Sequence, residues 1–311
     1  MTLRRLLAGV AGGTAATAAA NRLVRADEQP PDPLPGTRTT TRWRGFDVSY
    51  TTAGDPDDPD LVLLHGVHAA ASSRAFAGVV DTLAEDYHVL APDLPGFGHT
   101  DRPSIAYTSA LYEAFVASFI GDVAGDDPAV VASSLTGAWA AMAAADTSVS
   151  ALALVCPIAD TGQRRPAVRR LLRTPVVGTA VFNALVSRRG LRWFTNRHAF
   201  YQSANVPAGL LDYQHRTSHQ PNARLAPASF AGGMLDPAVD LVDAVQSVPA
   251  PVTLVWGREA RITPLADGRA LADAADVRLT VLDDAGAVPH VEHSASFCDA
   301  LGAALPQLEH H

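Results

Sequence analysis

The sequence predicts an α/β fold, a mostly parallel twisted sheet with helices on both faces and an inserted helical segment. Two observations carry this reading. Short apolar runs of strand length alternate with helix-length stretches from Thr40 onward, and each run ends in a turn. That rhythm stops between residues 158 and about 235, where apolar pieces of helical character replace strands. At 311 residues and 48% hydrophobic content, the chain can bury one large core.

The first 36 residues stand apart. "MTLRRLLAGVAGGTAATAAANRLV" pairs Arg4 and Arg5 with an apolar Ala/Gly run to Ala20. That resembles a twin-arginine export signal or a short membrane anchor, although a bilayer span takes roughly 20 residues. An Ala-rich helix is the plain alternative, so a cytoplasmic and a membrane-associated or exported protein are both expected. "EQPPDPLPG" then reads as a linker.

A first core part spans residues 37–158. "RWRGFDVSYTTAG" reads as two antiparallel strands turning near Gly45. "LVLLHG" (61–66), "HVLAPD" (88–93), "AVVASS" (129–134) and "ALALVCP" (151–157) read as buried parallel strands. Leu111, Phe115 and Phe119, with Val116, Ile120 and Val123 beside them, mark a helix between two of these. Residues 159–235 form the helical insertion, expected to be a lid. The second core part, 236–308, holds "PVTLVWG" (251–257) and "VRLTVLDD" (277–284). The closing "LEHH" resembles a purification tag, and residues 309–311 are set aside.

Every basic side chain except histidine is arginine, and Asp outnumbers Glu by 26 to 6. Residues 159–200 hold nine Arg and only Asp160 as an acid, so the rest of the chain carries −16 of a total of −8. An acidic body excludes nucleic acid as a natural partner. The block "RRPAVRRLLR" places Arg164, Arg165, Arg169, Arg170 and Arg173 beside Val168, Leu171 and Leu172. Such a cationic amphipathic helix suits an anionic membrane surface, or else a solvated face paired with the acidic body. Cys156 and Cys298 lack the spacing of a disulfide framework or metal site, and no cofactor or metal is expected.

"VVASSLTGAWAAMAA" (130–144) reads as a strand entering a helix through a tight corner, with Ala132, Ser134, Thr136 and Gly137 at the bend. A nucleophile elbow needs small residues there, and Thr136 is bulkier than usual. A helix N-cap formed by Ser133 and Ser134 is the plain alternative. "LVLLHGVHAAASS", "VLAPDLPGFGHTDRP", "PVTLVWGREARITPLADGRAL" and "AGAVPHVEHSASF" follow in an order that, with the corner, resembles the α/β-hydrolase family from about Thr40 to Leu308. The resemblance implies a serine esterase or lipase-like hydrolase with Ser134 as nucleophile. It implies an oxyanion hole from the Val67 and Leu135 N–H groups, and a pocket near His65, Gly66, His68 and Ser133.

The family pattern then loses two members. Gly257 and Pro264 fit the acid block, but the acid position is Ala260. Gly286, Pro289 and Glu292 fit the base block, but the histidine position is Ala287. Candidate replacements are Glu259 and Asp160 for the acid, and His290 and His68 for the base. Two functions follow: a divergent hydrolase acting on an ester or another small lipophilic substrate, or an inactive pseudo-hydrolase that binds a small molecule, lipid or protein. Loss of a base alone costs a serine protease about 10⁶-fold in turnover, while binding and the oxyanion hole keep roughly 10³–10⁴ over water.

Overall fold

The computed structural model describes residues 17–22, 29–162 and 164–305. The Arg4–Arg5 pair and the terminal 309–311 lie outside the described residues. Eight strands form one sheet: β1 (Thr37–Trp43), β2 (Phe46–Ala53), β3 (Asp60–Leu64), β4 (His88–Pro92), β5 (Ala129–Ser133), β6 (Ala151–Val155), β7 (Val252–Gly257) and β8 (Arg278–Leu282). Their order is β1-β2-β4-β3-β5-β6-β7-β8. Only β1–β2 and β2–β4 pair antiparallel; the other pairs are parallel. The turn joining β1 to β2 puts Arg44 at φ 44° and Gly45 at φ 89°, the left-handed pair that matches the twist of a hairpin.

Side-chain alternation divides the core. Val62, Leu64, Val130, Ala132, Leu152 and Leu154 face one side, where they meet α1 (Ser109–Asp122) and α2 (Thr136–Asp146). Leu61, Leu63, Val131, Ala153 and Val155 face the other side, against Phe76, Val79, Phe297 and Leu301. Burial on both faces is why these runs are continuously apolar rather than alternating. The buried stripe of α1 comprises Tyr112, Phe115, Val116, Phe119 and Ile120. Tyr112 stacks on Trp139 of α2 with ring centroids 4.7 Å apart, and the indole N–H donates to Ser109 Oγ at 3.0 Å.

Between Val155 and Val252 the described residues contain helices and turns but no strand. The insertion comprises α3 (Pro166–Arg173), α4 (Val177–Leu185), α5 (Arg188–Phe194), α6 (Leu210–Ser218) and α7 (Leu225–Ala231). Leu172, Phe182, Val186, Leu191 and Ala228 form its small core, which reaches Ala70 in the loop after β3. The basic block does not turn all its arginines outward, as an amphipathic helix alone suggests. Arg164, Arg165 and Arg170 are exposed. Arg169 instead lies against Gly232, and Arg173 donates to the Ile105 carbonyl at 2.9 Å. Positions 169, 172 and 173 share one helical face, and Leu172 is the residue that face buries.

Candidate active site

The site is built where β5 ends. Ser134 adopts φ 57°, a left-handed conformation that costs an L-residue about 1–2 kcal/mol. Hydrogen bonds on both sides of the residue hold it there. Its N–H donates to the Val155 carbonyl at 2.9 Å, and its carbonyl accepts from Gly137 N at 2.9 Å and Ile158 N at 3.3 Å. Helix α2 begins two residues later, so Ser134 sits on a sharp strand-to-helix turn and is partly exposed. Gly66 approaches this turn closely: a Cβ there would stand 3.1 Å from Ser134 Cβ and 3.3 Å from the buried Ser133 carbonyl, tighter than ordinary contact.

Thr136, unexpectedly bulky in the sequence pattern, donates its hydroxyl to the His65 carbonyl at 2.8 Å and is fully buried. It ties the serine turn to the loop after β3. His65 fastens that loop from the other side. Its Nε2 accepts from Leu94 N at 3.0 Å, so the ring hydrogen is on Nδ1 and donates to the Gly66 carbonyl at 2.8 Å. Burial lowers the His65 pKa, opposed by the nearby Asp93 carboxylate and the Gly66 carbonyl. The neutral ring is therefore a clamp within the protein body. Among the described residues, the N–H groups of Val67 and Leu135 have no protein acceptor.

Among the described residues, none of the candidate replacements hydrogen-bonds to this serine. Ser134 Oγ has no hydrogen-bond partner among the described residues. His290 is buried between Phe76 and Phe297, at ring separations of 5.1 and 5.6 Å. Its Nδ1 has no partner, and burial lowers its pKa to about 3. Asp160 lies at the surface, where the Gly162 N–H and then Arg164 lower its pKa. Glu259 Oε2 accepts from Ala285 N at 3.1 Å. His68 lies next to Val67, but its Nδ1 accepts from Ala70 N at 3.2 Å, which leaves the hydrogen of the neutral ring on Nε2. Burial, followed by the neighbouring His65, lowers its pKa to about 4. At neutral pH His68 therefore presents a donor and not a base.

The β7–β8 side of the sheet end is apolar. Ala260 and Ala287 pack into one cluster with Cys156 and Trp256. Burial raises the Cys156 thiol pKa to about 12. The Glu292 carboxylate accepts from Gly286 N at 2.5 Å and Tyr201 N at 2.8 Å, while Ala287 N donates to the Ala199 carbonyl at 2.9 Å. These bonds fix the loop carrying Ala287 to the insertion.

Beneath the insertion lies a cavity of about 420 Å³ lined by Leu172, Phe182, Leu191, Phe200, Leu210 and Phe230, among others. His68, Val288 and Val291 border it from the two core loops; of the residues expected around the pocket only His68 lines it, and His65, Gly66, Ser133 and Ser134 do not. The insertion core packs onto Ala70, so the space opens beside the loop after β3. Arg74 and Gln214 also reach this cavity, and sequence reasoning missed both. Their placement depends on contacts such as Arg74 over the Tyr213 ring at 5.7 Å, which no local pattern encodes.

Residues 61–300 match the model of the Alpha/beta hydrolase family. The chain belongs to that family. It is 44% identical to an uncharacterized hydrolase of Saccharomyces cerevisiae over 59 residues, 19% of this chain and 20% of the relative. It is 28% identical to a dihydrolipoyllysine-residue acetyltransferase component of an acetoin cleaving system from Cupriavidus necator, over 81% of this chain and 65% of the relative. The chain thus spans less than two thirds of either relative. Among solved structures, a bacterial membrane phospholipase A superposes with TM-score 0.68 at 21% identity, covering 96% of this chain and 94% of the other. That similarity concerns the fold.

Proposed function

We propose that this chain is a base-poor member of the family that binds a small lipophilic ligand, such as an ester or acyl compound, beneath its helical lid. One observation carries the reading: among the described residues, Ser134 Oγ has neither an imidazole nor a carboxylate as a hydrogen-bond partner. A serine hydroxyl without a base is a poor nucleophile near neutral pH. The positions where the family carries acid and base, Ala260 and Ala287, share an apolar cluster instead. The cavity meanwhile has the size and lining of a small-molecule site. Within it, the His68 Nε2–H is placed to donate to a ligand carbonyl.

A second reading, slow ester hydrolysis through Ser134, draws support from the left-handed serine turn and the free Val67 and Leu135 N–H groups of an oxyanion hole.

One set of variants separates the two. Under the first reading, a fluorescent fatty acid binds the wild type, and Ala75→Phe, which fills the cavity wall, weakens it. Turnover of a short-chain p-nitrophenyl ester stays within about tenfold of Ser134→Ala. Ala260→Asp with Ala287→His then raises turnover well above either single variant, because acid and base act as a unit. Wild-type turnover hundreds of times that of Ser134→Ala, abolished in His68→Gln, establishes the second reading and overturns the first.

A further inference from the structure

We infer that the helical insertion is a docking face for an anionic lipid bilayer. Large apolar side chains are exposed mainly here: Val168, Leu171, Val177, Leu185 at 57% and Trp193 at 64%. Leu185, Trp193 and Phe194 also line the cavity, so this exposed apolar surface continues into its wall.

The same helices carry the positive charge. In α5, Leu191 is buried while Arg189, Arg192 and Trp193 are exposed. Arg165 and Arg170 are exposed around α3. Among the described residues, only Arg164 and Arg188 of the exposed arginines in this segment pair with a carboxylate, Asp160 and Asp212. The acidic body therefore does not consume the charge of the insertion.

The chain also enters the described molecule here. In the helix at 17–22, Asn21 Nδ2 donates to the Val176 carbonyl at 3.0 Å, and Asn183 Nδ2 donates to Asn21 Oδ1 at 3.3 Å.

Exposed tryptophan among unpaired arginines matches the chemistry of a membrane interface, where the indole occupies the headgroup level and arginine meets acidic lipid. The centre of a protein–protein interface is instead depleted of charge. Docking in this orientation brings the cavity to the bilayer surface, and this consequence rests on the lipophilic-ligand reading above.

The test uses the full chain with vesicles of phosphatidylcholine alone and vesicles rich in phosphatidylglycerol. Sedimentation with the anionic vesicles is expected, weakened by added salt, with little binding to the neutral ones. Arg189→Glu with Arg192→Glu lowers binding about 25-fold or more, roughly fivefold for each arginine. Tryptophan emission shifts to the blue on binding, and Trp193→Phe removes the shift. Equal binding to both lipids, unchanged binding of the charge variant, or no binding overturns the proposal. Fatty-acid binding in solution, measured on the same charge variant, keeps the ideas separable. If the wild type binds fatty acid but not the anionic vesicles, docking alone fails; if the wild type binds no fatty acid, the cavity reading fails.

Discussion

The walls at the β3–β5 and β7–β8 ends of the sheet are built from different chemistry. On the β3–β5 side, polar groups hold one another: Thr136 reaches the His65 carbonyl, His65 reaches Leu94 and Gly66, and the Val67 and Leu135 N–H groups have no acceptor among the described residues. On the β7–β8 side, Ala260 and Ala287 pack with Cys156 and Trp256. The lesson is that the serine turn is held by main-chain and threonine hydrogen bonds, with no side chain bonded to its hydroxyl among the described residues. Its strained backbone is braced by β6 and by the loop after β3.

The strongest way to break this contrast is to force charge onto the apolar wall. Ala260→Asp should cost about 3 kcal/mol or more at pH 7, since an unpaired carboxylate is buried there. Burial raises the carboxyl pKa in the folded state, so the loss is full above that raised value, fades as the pH falls through it, and is gone below about pH 4, where both states are protonated. Urea unfolding at the two pH values checks this, and adding Ala287→His should recover part of the loss. An Ala260→Asp protein as stable as the wild type would mean that water reaches this wall.

Removing the clamp on the polar wall is the next test. His65→Leu leaves Leu94 N–H without its acceptor, a cost of about 1–3 kcal/mol. Thermal melts measure it, and an unshifted midpoint would deny His65 its structural role.

His290 sharpens the comparison from outside both walls. Its folded pKa, about 3, lies below the unfolded value of 6.5. The unfolded chain therefore takes up a proton that the native ring refuses. Stability is full above about pH 6.5 and declines by about 1.4 kcal/mol per pH unit as the pH falls toward 3. His290→Leu should flatten that limb in urea titrations between about pH 7 and 5. An identical slope in the variant would contradict a neutral ring between Phe76 and Phe297.

Much of this was legible in the sequence. Each apolar run became a strand within a residue or two, because strands buried on both faces must be continuously apolar. The serine turn could be read because small residues and a strand-to-helix change lie close together in the chain. His65 gave no such signal. Its role depends on Leu94, 29 residues away, and on a tautomer set by that contact. Arg169 and Arg173 looked like solvent-facing charges, and only the packing of α3 showed which two of the five were turned inward. The cavity was equally hidden, since its wall comes from segments distant in sequence.

The carboxylate of Glu292 has a mechanical consequence. By holding Gly286, Tyr201 and Gln202 main-chain groups together, it gives the insertion a fulcrum on the last core loop. Helices α4 and α5 are held only through the small apolar core of the insertion, by Phe182, Val186 and Leu191, whereas residues 199–202 are hydrogen-bonded to the last core loop. Amide hydrogens at Tyr201, Gly286 and Ala287 would then exchange slowly with solvent although they belong to loops, and those of Trp193 and Phe194 would exchange fast.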